Sequence, residues 1–192
     1  MPSIPRTPPG SDRATERERL IAWRKLFSGA RRSQAERAIG ARLVALLQGQ
    51  PACVLAVYWP IRGEPDLGPE LTLLERLGMA LALPRVRARG QALEFGMWRP
   101  GQAMRPGGYG VLLPEPFEPV RPDTIVMPCV GFSASGYRLG YGAGFYDLTL
   151  AQFAVPAIGV AFDGLELDGF KPQPHDQRLT HLVTESRTLA FQ

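Results

Sequence analysis

Residues 124–147 read TIVMPCVGFSASGYRLGYGAGFYD. The first nine, 124–132, form a nearly unbroken apolar run, the pattern of a strand buried on both faces in a mainly parallel sheet. The segment Phe145–Phe153 that closes the stretch is apolar at helical spacing and predicts a helix. Between the two, Gly140, Gly142 and Gly144 alternate, each costing roughly 0.5–1 kcal/mol of conformational entropy against alanine. A glycine-rich turn that leaves the carboxyl end of a strand and enters a helix is where open α/β sheets bind ligands. Unpaired N–H groups at a helix start favour phosphate, so the flexible residues give backbone amides access to an anion.

Working outward, the same type of short apolar run recurs as CVLAVYW at 53–59, ALALPRV at 80–86 and AIGVAF at 157–162. Helical segments at 70–77 and Phe145–Phe153 separate several of them. The whole predicts a three-layer α/β sandwich, a mainly parallel sheet flanked by helices in the Rossmann-like manner. Runs 80–86 and 92–98, joined through Arg89, Gly90 and Gln91, read as a hairpin. Residues 100–123, rich in proline and glycine, read as a long loop over a site or a sheet edge. Toward the N-terminus, a helix should begin near Asp12 with Leu20, Trp23 and Phe27 on one stripe. A second should follow from Ser33 to Glu36, which resemble a capping box, with Ile39, Leu43, Leu46 and Leu47 buried. Residues 1–11 read as a flexible tail and 12–192 as a single domain, the size of the chain (192 residues) allowing one substantial core.

Composition narrows the class. A hydrophobic fraction of 45% and a charged fraction of 21% belong to a soluble globular protein. There is no run of roughly 18 apolar residues and no apolar secretory core at the start, so a cytoplasmic protein with no membrane partner is expected. Cys53 and Cys129 lie far apart in apolar runs and read as buried hydrophobes in a reducing compartment. The net charge of +4 rests on arginine, with lysine only at Lys25 and Lys171. Many of the cations, Arg13, Arg17, Arg19 and Arg24 among them, crowd the first helix. A solvated helix face explains such crowding. A nucleic-acid module would also be basic, but the chain lacks the basic patches interleaved with aromatics that single-strand binders use; no nucleic acid is expected.

By letters alone the G-x-G-x-G pattern fits a tight turn as well as a ligand loop, and it is neither the dinucleotide fingerprint nor a Walker motif. Its flanks carry the chemistry. Arg138 can fork onto phosphate oxygens, Tyr146 can donate a hydroxyl, and Asp147 offers the hard oxygen that magnesium prefers. An anion cradle beside such a carboxylate points to nucleotide chemistry. His175 with Asp176 reads as a structural turn rather than an acid–base pair.

The stretch MPCVGFSASGYRLGYGAGFYD closely resembles the signature of the 5-formyltetrahydrofolate cyclo-ligases, also called methenyltetrahydrofolate synthetases, and the resemblance extends over most of the chain. Arg13-Ala-Thr-Glu-Arg17 is similar to a Lys-x-x-x-Arg pair that holds ATP phosphates in that family. Glu64 in YWPIRGEPD matches a glutamate that contacts the folate, with Trp59 at an apolar position of the same pocket. The PEP at 114–116 and the closing PQPHDQRLTHLVTE, whose aspartate is Asp176, match in order. The sequence departs from the pattern at Arg13, Cys129, Ser133, Tyr141, Ala143 and Leu148; Tyr141 stands where arginine or methionine is frequent.

The resemblance implies ATP-driven ring closure of 5-formyltetrahydrofolate to 5,10-methenyltetrahydrofolate by a monomer that uses ATP and Mg2+. A relative of the same fold acting with ATP on another small substrate is the alternative. It implies that Arg13, Arg17, Arg138, Gly140, Gly142, Ala143, Gly144, Phe145 and Tyr146 hold the nucleotide, that Trp59, Glu64, Tyr141 and Tyr146 hold the folate, and that Asp147 and Asp176 bind the metal. Arg138, Tyr146 and Asp147 would carry the catalytic step.

Overall fold

The computed structural model describes residues 12–191, so the tail expected at 1–11 lies outside the described residues. Helix α1, Arg13–Leu26, starts as its sequence directs: the Asp12 carboxylate accepts from the Thr15 N–H at 2.8 Å, satisfying one of the amides a helix start leaves free. Its stripe is buried at Leu20, Trp23 and Phe27. Trp23 stacks on Phe27 at 5.2 Å, and Phe27 meets Phe162 edge-on at 5.0 Å.

Helix α2, Gly29–Leu47, begins earlier than the expected capping box. Ser28 is the N-cap residue without a side-chain bond, and Ser33 lies within the helix. The Glu36 carboxylate is spent elsewhere, accepting from Arg32 Nε at 2.9 Å and from the Asp66 N–H at 3.1 Å. Local signals for a cap were outweighed by a tertiary use of the same carboxylate.

The remaining elements are β1 (Val54–Ala56), α3 (Gly68–Arg76), β2 (Ala80–Arg85), β3 (Glu94–Met97), β4 (Met104–Pro106), β5 (Leu112–Pro114), β6 (Pro119–Val120), β7 (Thr124–Pro128), β8 (Gly131–Phe132), β9 (Arg138–Leu139), α4 (Phe145–Phe153), β10 (Ala157–Val160), β11 (His181–Val183) and β12 (Thr188–Ala190). Eight of the strands form one sheet in the order β12-β11-β10-β7-β1-β2-β3-β6. The five inner strands β11, β10, β7, β1 and β2 run parallel, and antiparallel strands close both edges. This is the expected α/β sheet flanked by helices, its apolar runs completely buried at Leu55, Leu83, Ile125, Val126 and Val160.

The hairpin of β2 and β3 forms as read, with Ala82 opposite Met97 and Arg85 opposite Glu94. Residues 100–123 are not a structureless loop: they contain the β4–β5 hairpin and the edge strand β6. Short strands with proline at their ends give no alternation long enough to read, which is why they were missed.

The order β7-β1-β2 decides where a site can lie. The chain leaves β1 toward β2 on one side and later returns as β7 on the other. Crossovers that diverge from neighbouring parallel strands leave a crevice at their carboxyl ends.

Candidate active site

That crevice is occupied by a pocket of about 320 Å³. Trp59, Arg62 and Glu64 come from the chain after β1, Pro84 and Val86 from β2 and its exit, and Arg138, Gly140, Tyr141 and Ala143 to Asp147 from the glycine loop. Val111, Leu113 and Tyr109 reach it from the segment misread as loop. All the site residues expected of the loop except Gly142 therefore face the same cavity as Glu64 and Trp59, whereas Arg13, Arg17 and Asp176 are not among its lining residues.

The loop needs glycine at two positions for different reasons. Gly142 has φ +93, and a Cβ there would stand 3.2 Å from the Arg17 guanidinium carbon. Gly144 has φ +70 and occupies the N-cap of α4, a left-handed conformation that costs L-residues roughly 1–2 kcal/mol. With no capping side chain at Gly144, the first amides of α4 are left for another partner.

Arg17 arrives from α1, and its Nε donates to the Gly140 carbonyl at 2.7 Å across 123 residues of sequence. Desolvation, then the neighbouring Arg13, holds its guanidinium below its ordinary value. Arg13 is anchored instead to the C-terminal segment. It donates to both oxygens of Asp176, at 3.2 and 2.5 Å, and to the Lys171 carbonyl at 3.0 Å, with its guanidinium 4.7 Å from the Phe170 ring centroid. Burial opposes ionisation of Asp176, yet the Arg13 bond and the Gln173 N–H hold its carboxyl below the usual carboxylate value. His175 beside it is 70% exposed in its side chain, as a turn residue would be.

Arg138 is buried at 5% exposure. Its Nη2 donates to Asp147 Oδ1 at 2.8 Å and its Nη1 to the Gln177 carbonyl at 2.9 Å. The Gln177 N–H donates to the same Asp147 oxygen at 3.0 Å. Asp147 Oδ2 accepts from no described residue, so one hard oxygen remains beside the loop. A magnesium ion asks for one or two carboxylates together with waters and phosphate oxygens, and Asp147 fits that demand. Asp176 fits it only if Arg13 lets go, because both its oxygens are engaged. Among the described residues no group of three or more acidic, histidine or cysteine side chains gathers as a metal cage.

Glu64 is 2% exposed. Its Oε2 accepts from the Ile61 N–H at 2.8 Å and its Oε1 from the Tyr141 hydroxyl at 2.7 Å. Burial raises its pKa above the ordinary value, with the Ile61 amide, the Tyr141 hydroxyl, Arg24 and Arg62 working the other way. Burial and then Glu64 likewise push the Tyr146 hydroxyl up, so it stays a neutral donor at the pocket wall. Behind the site the Cys129 thiol, fully buried and free, is pushed up to about 12 by burial; it is inert packing, as its apolar setting predicted.

The sequence reading did not single out Arg24, which is completely buried at the back of this site. The available signal was its place four residues after Leu20 and one after Trp23, inside the apolar stripe of α1, where a solvated arginine does not belong. Arg62 and Tyr109 were also missed, since nothing in their neighbourhoods predicts which loop reaches the crevice.

A model of the 5-formyltetrahydrofolate cyclo-ligase family matches residues 9–185. The chain is similar to a 5-formyltetrahydrofolate cyclo-ligase of Mycolicibacterium smegmatis, 33% identical over 177 residues that cover 85% of this chain and 88% of the relative. It is 26% identical to the enzyme of that name from Mycoplasma pneumoniae, over 91% of this chain and 99% of the relative. Among solved structures, the 5,10-methenyltetrahydrofolate synthetase of Aquifex aeolicus superposes with a TM-score of 0.79 at 27% identity, covering 93% of this chain and 92% of that one.

Proposed function

Because the chain belongs to the 5-formyltetrahydrofolate cyclo-ligase family and is a ligase, we propose that it converts 5-formyltetrahydrofolate and ATP to 5,10-methenyltetrahydrofolate, ADP and phosphate. The observation that carries the reading is that the glycine loop, the buried Glu64 and the Trp59 ring line one pocket, while Arg17 crosses from α1 to brace that loop at Gly140. On this reading a nucleotide site and a site for an aromatic, hydrogen-bonding heterocycle would share a wall.

In the reaction the formyl oxygen attacks the γ-phosphorus and the bond to the ADP oxygen breaks. N10 then attacks the activated carbon, loses its proton, and the C–O bond breaks to release phosphate. Phosphoryl transfer asks the protein for position and charge rather than for a nucleophile. Arg13, Arg17 and Arg138 would neutralise the phosphates, and the amides of Ala143, Gly144, Phe145 and Tyr146 would cradle them at the start of α4. Glu64 would accept from the pterin donors, with Trp59, Tyr141 and Tyr146 around the ring. Asp147 would hold Mg2+ directly, joined by Asp176 when Arg13 turns to the phosphates; the ion neutralises phosphate charge when bound.

The test is to mix the purified protein with 5-formyltetrahydrofolate, ATP and magnesium. The near-ultraviolet absorbance of the methenyl product should rise in step with ADP, and neither signal should appear when the folate is omitted. A folded protein that yields no methenyl absorbance rejects the assignment.

A further inference from the structure

Behind Glu64 lies a buried side chain that the reaction scheme does not use. Arg24 donates three ways: Nε to the Arg62 carbonyl at 3.0 Å, Nη1 to the Cys129 carbonyl at 3.4 Å, and Nη2 to the Tyr141 hydroxyl. The Tyr141 hydroxyl in turn donates to Glu64 Oε1 at 2.7 Å. The direction of each bond is fixed by chemistry, because a guanidinium only donates and a carboxylate only accepts. The hydroxyl proton therefore has one place to point.

We propose that Arg24 and Tyr141 are positioning residues, a buried relay that aims the Glu64 carboxylate at the donor groups of the folate's pterin ring from a cation that touches no substrate. The inference rests on the folate reading above for its substrate and on the structure alone for its relay.

Arg24 joins the chain after β1, the exit of β7 and the glycine loop, which are the segments that border the crevice. It is fully buried, and a buried cation is costly without a compensating charge; Glu64 is that charge, one hydroxyl away. Tyr141 is suited to the middle position because its ring also lies against two guanidinium groups, with Arg24 at 5.6 Å and Arg62 at 5.3 Å from the centroid. The groups facing Glu64 are Arg24 from α1, Arg62 from its own loop, Tyr141 from the glycine loop and Tyr146 from α4, with Tyr58 and Cys129, whose own ionisation Glu64 opposes, just past the ends of β1 and β7. A third cation, Arg32 from α2, donates to the Glu64 main-chain carbonyl at 2.8 Å; of the three arginines only Arg24 is hydrogen-bonded into the path to the carboxylate.

Tyr141→Phe removes the hydroxyl and keeps the ring. Infrared spectra of protein carrying 13C-labelled glutamate, recorded against pH and referenced to Glu64→Gln, follow the Glu64 carboxyl in the free enzyme. Its titration midpoint should rise by about one pH unit in Tyr141→Phe, the effect of losing one hydrogen bond to a charged group. KM for 5-formyltetrahydrofolate should rise about tenfold with little change in kcat, and KM for ATP should stay at the wild-type value. Arg24→Lys, which cannot reach all three acceptors, should move both folate readouts the same way. An unchanged midpoint in Tyr141→Phe overturns the relay, as does a KM for ATP that rises as much as that for the folate, since that marks a distorted glycine loop. A raised midpoint in an enzyme whose wild-type form neither binds nor converts the folate leaves the relay standing and removes the substrate assignment.

Discussion

Arg138 and Asp147 stand at the two ends of the glycine loop and meet at 2.8 Å, Arg138 Nη2 donating to Asp147 Oδ1. The pair closes the loop into a ring whose amides cannot drift from the start of α4, and the Gln177 N–H on the same carboxylate oxygen ties that ring to the C-terminal segment. Preorganisation of this type stabilises developing charge without reorganisation during the reaction.

Replacing Asp147 by Asn keeps the shape but removes the charge opposite Arg138 and the hard oxygen at Oδ2. Turnover should fall by about 10²–10³, and the magnesium concentration for half-maximal rate should rise. Steady-state rates across a magnesium titration check both. A wild-type rate with an unaltered magnesium dependence contradicts the assigned role.

Gly142→Ala places a methyl 3.2 Å from the Arg17 guanidinium carbon at a φ of +93. The loop must give or Arg17 must leave Gly140. KM for ATP should rise by about tenfold or more, with backbone strain costing roughly 1–3 kcal/mol, measured as a lower Tm. Adding Arg17→Ala should relieve the clash without restoring ATP affinity.

Glu64→Gln tests a conflict between stability and binding. Burial raises the Glu64 pKa in the folded chain above its reference value of 4.5. Its ionised form therefore weakens folding: the favourable contribution is full below 4.5 and is lost as pH rises through the raised folded value. The Gln variant leaves the buried Arg24 without its compensating charge at every pH, and on top of that constant cost wild type should gain on it as the pH falls toward 4.5. Folate affinity should drop in the variant throughout. Thermal melts at several pH values alongside folate titrations decide the matter.

Asp176 has the opposite sign. Arg13 and the Gln173 amide hold its carboxyl below 3.8 against the cost of burial, so its contribution to stability is present above 3.8 and is lost as pH falls through the lower folded value. Asp176→Asn should be less stable than wild type at neutral pH and should show a flatter loss of stability in acid. Acid unfolding followed by circular dichroism measures the difference.

Thr149 links the first turn of α4 to the start of β3. Its hydroxyl accepts from the Leu93 N–H at 2.8 Å and donates to the Phe145 carbonyl at 2.6 Å. Thr149→Val keeps the volume and orphans a buried amide, at about 1–3 kcal/mol. Tm should fall by roughly 2–4 °C per kcal/mol in a chain of this length, with α4 loosened at its first turn.

The α/β sheet was legible because its central strands are buried on both faces, so Leu55, Leu81 and Ile125 sit in continuous apolar runs that need no partner to be recognised. The strands β4, β5, β6, β11 and β12 were not, since each spans only two or three residues and owes its pairing to neighbours distant in sequence. Ser33 misled for a related reason: a cap motif is local, while the fate of Glu36 was decided by Arg32 and Asp66.

By itself the sequence determined the parallel sheet and marked the loop 138–147 with Asp147 as a candidate anion site, and through the family resemblance it pointed to Arg17 and Glu64, because periodicity, glycine placement and motif order are written along the chain. Only tertiary structure decided that Asp176 is held by Arg13 and that Arg24 stands behind Glu64 through Tyr141. Whether a charge ends in water, in an ion pair or in a buried relay depends on which distant groups packing brings within hydrogen-bond reach, and that distance is not encoded in any window of neighbouring residues.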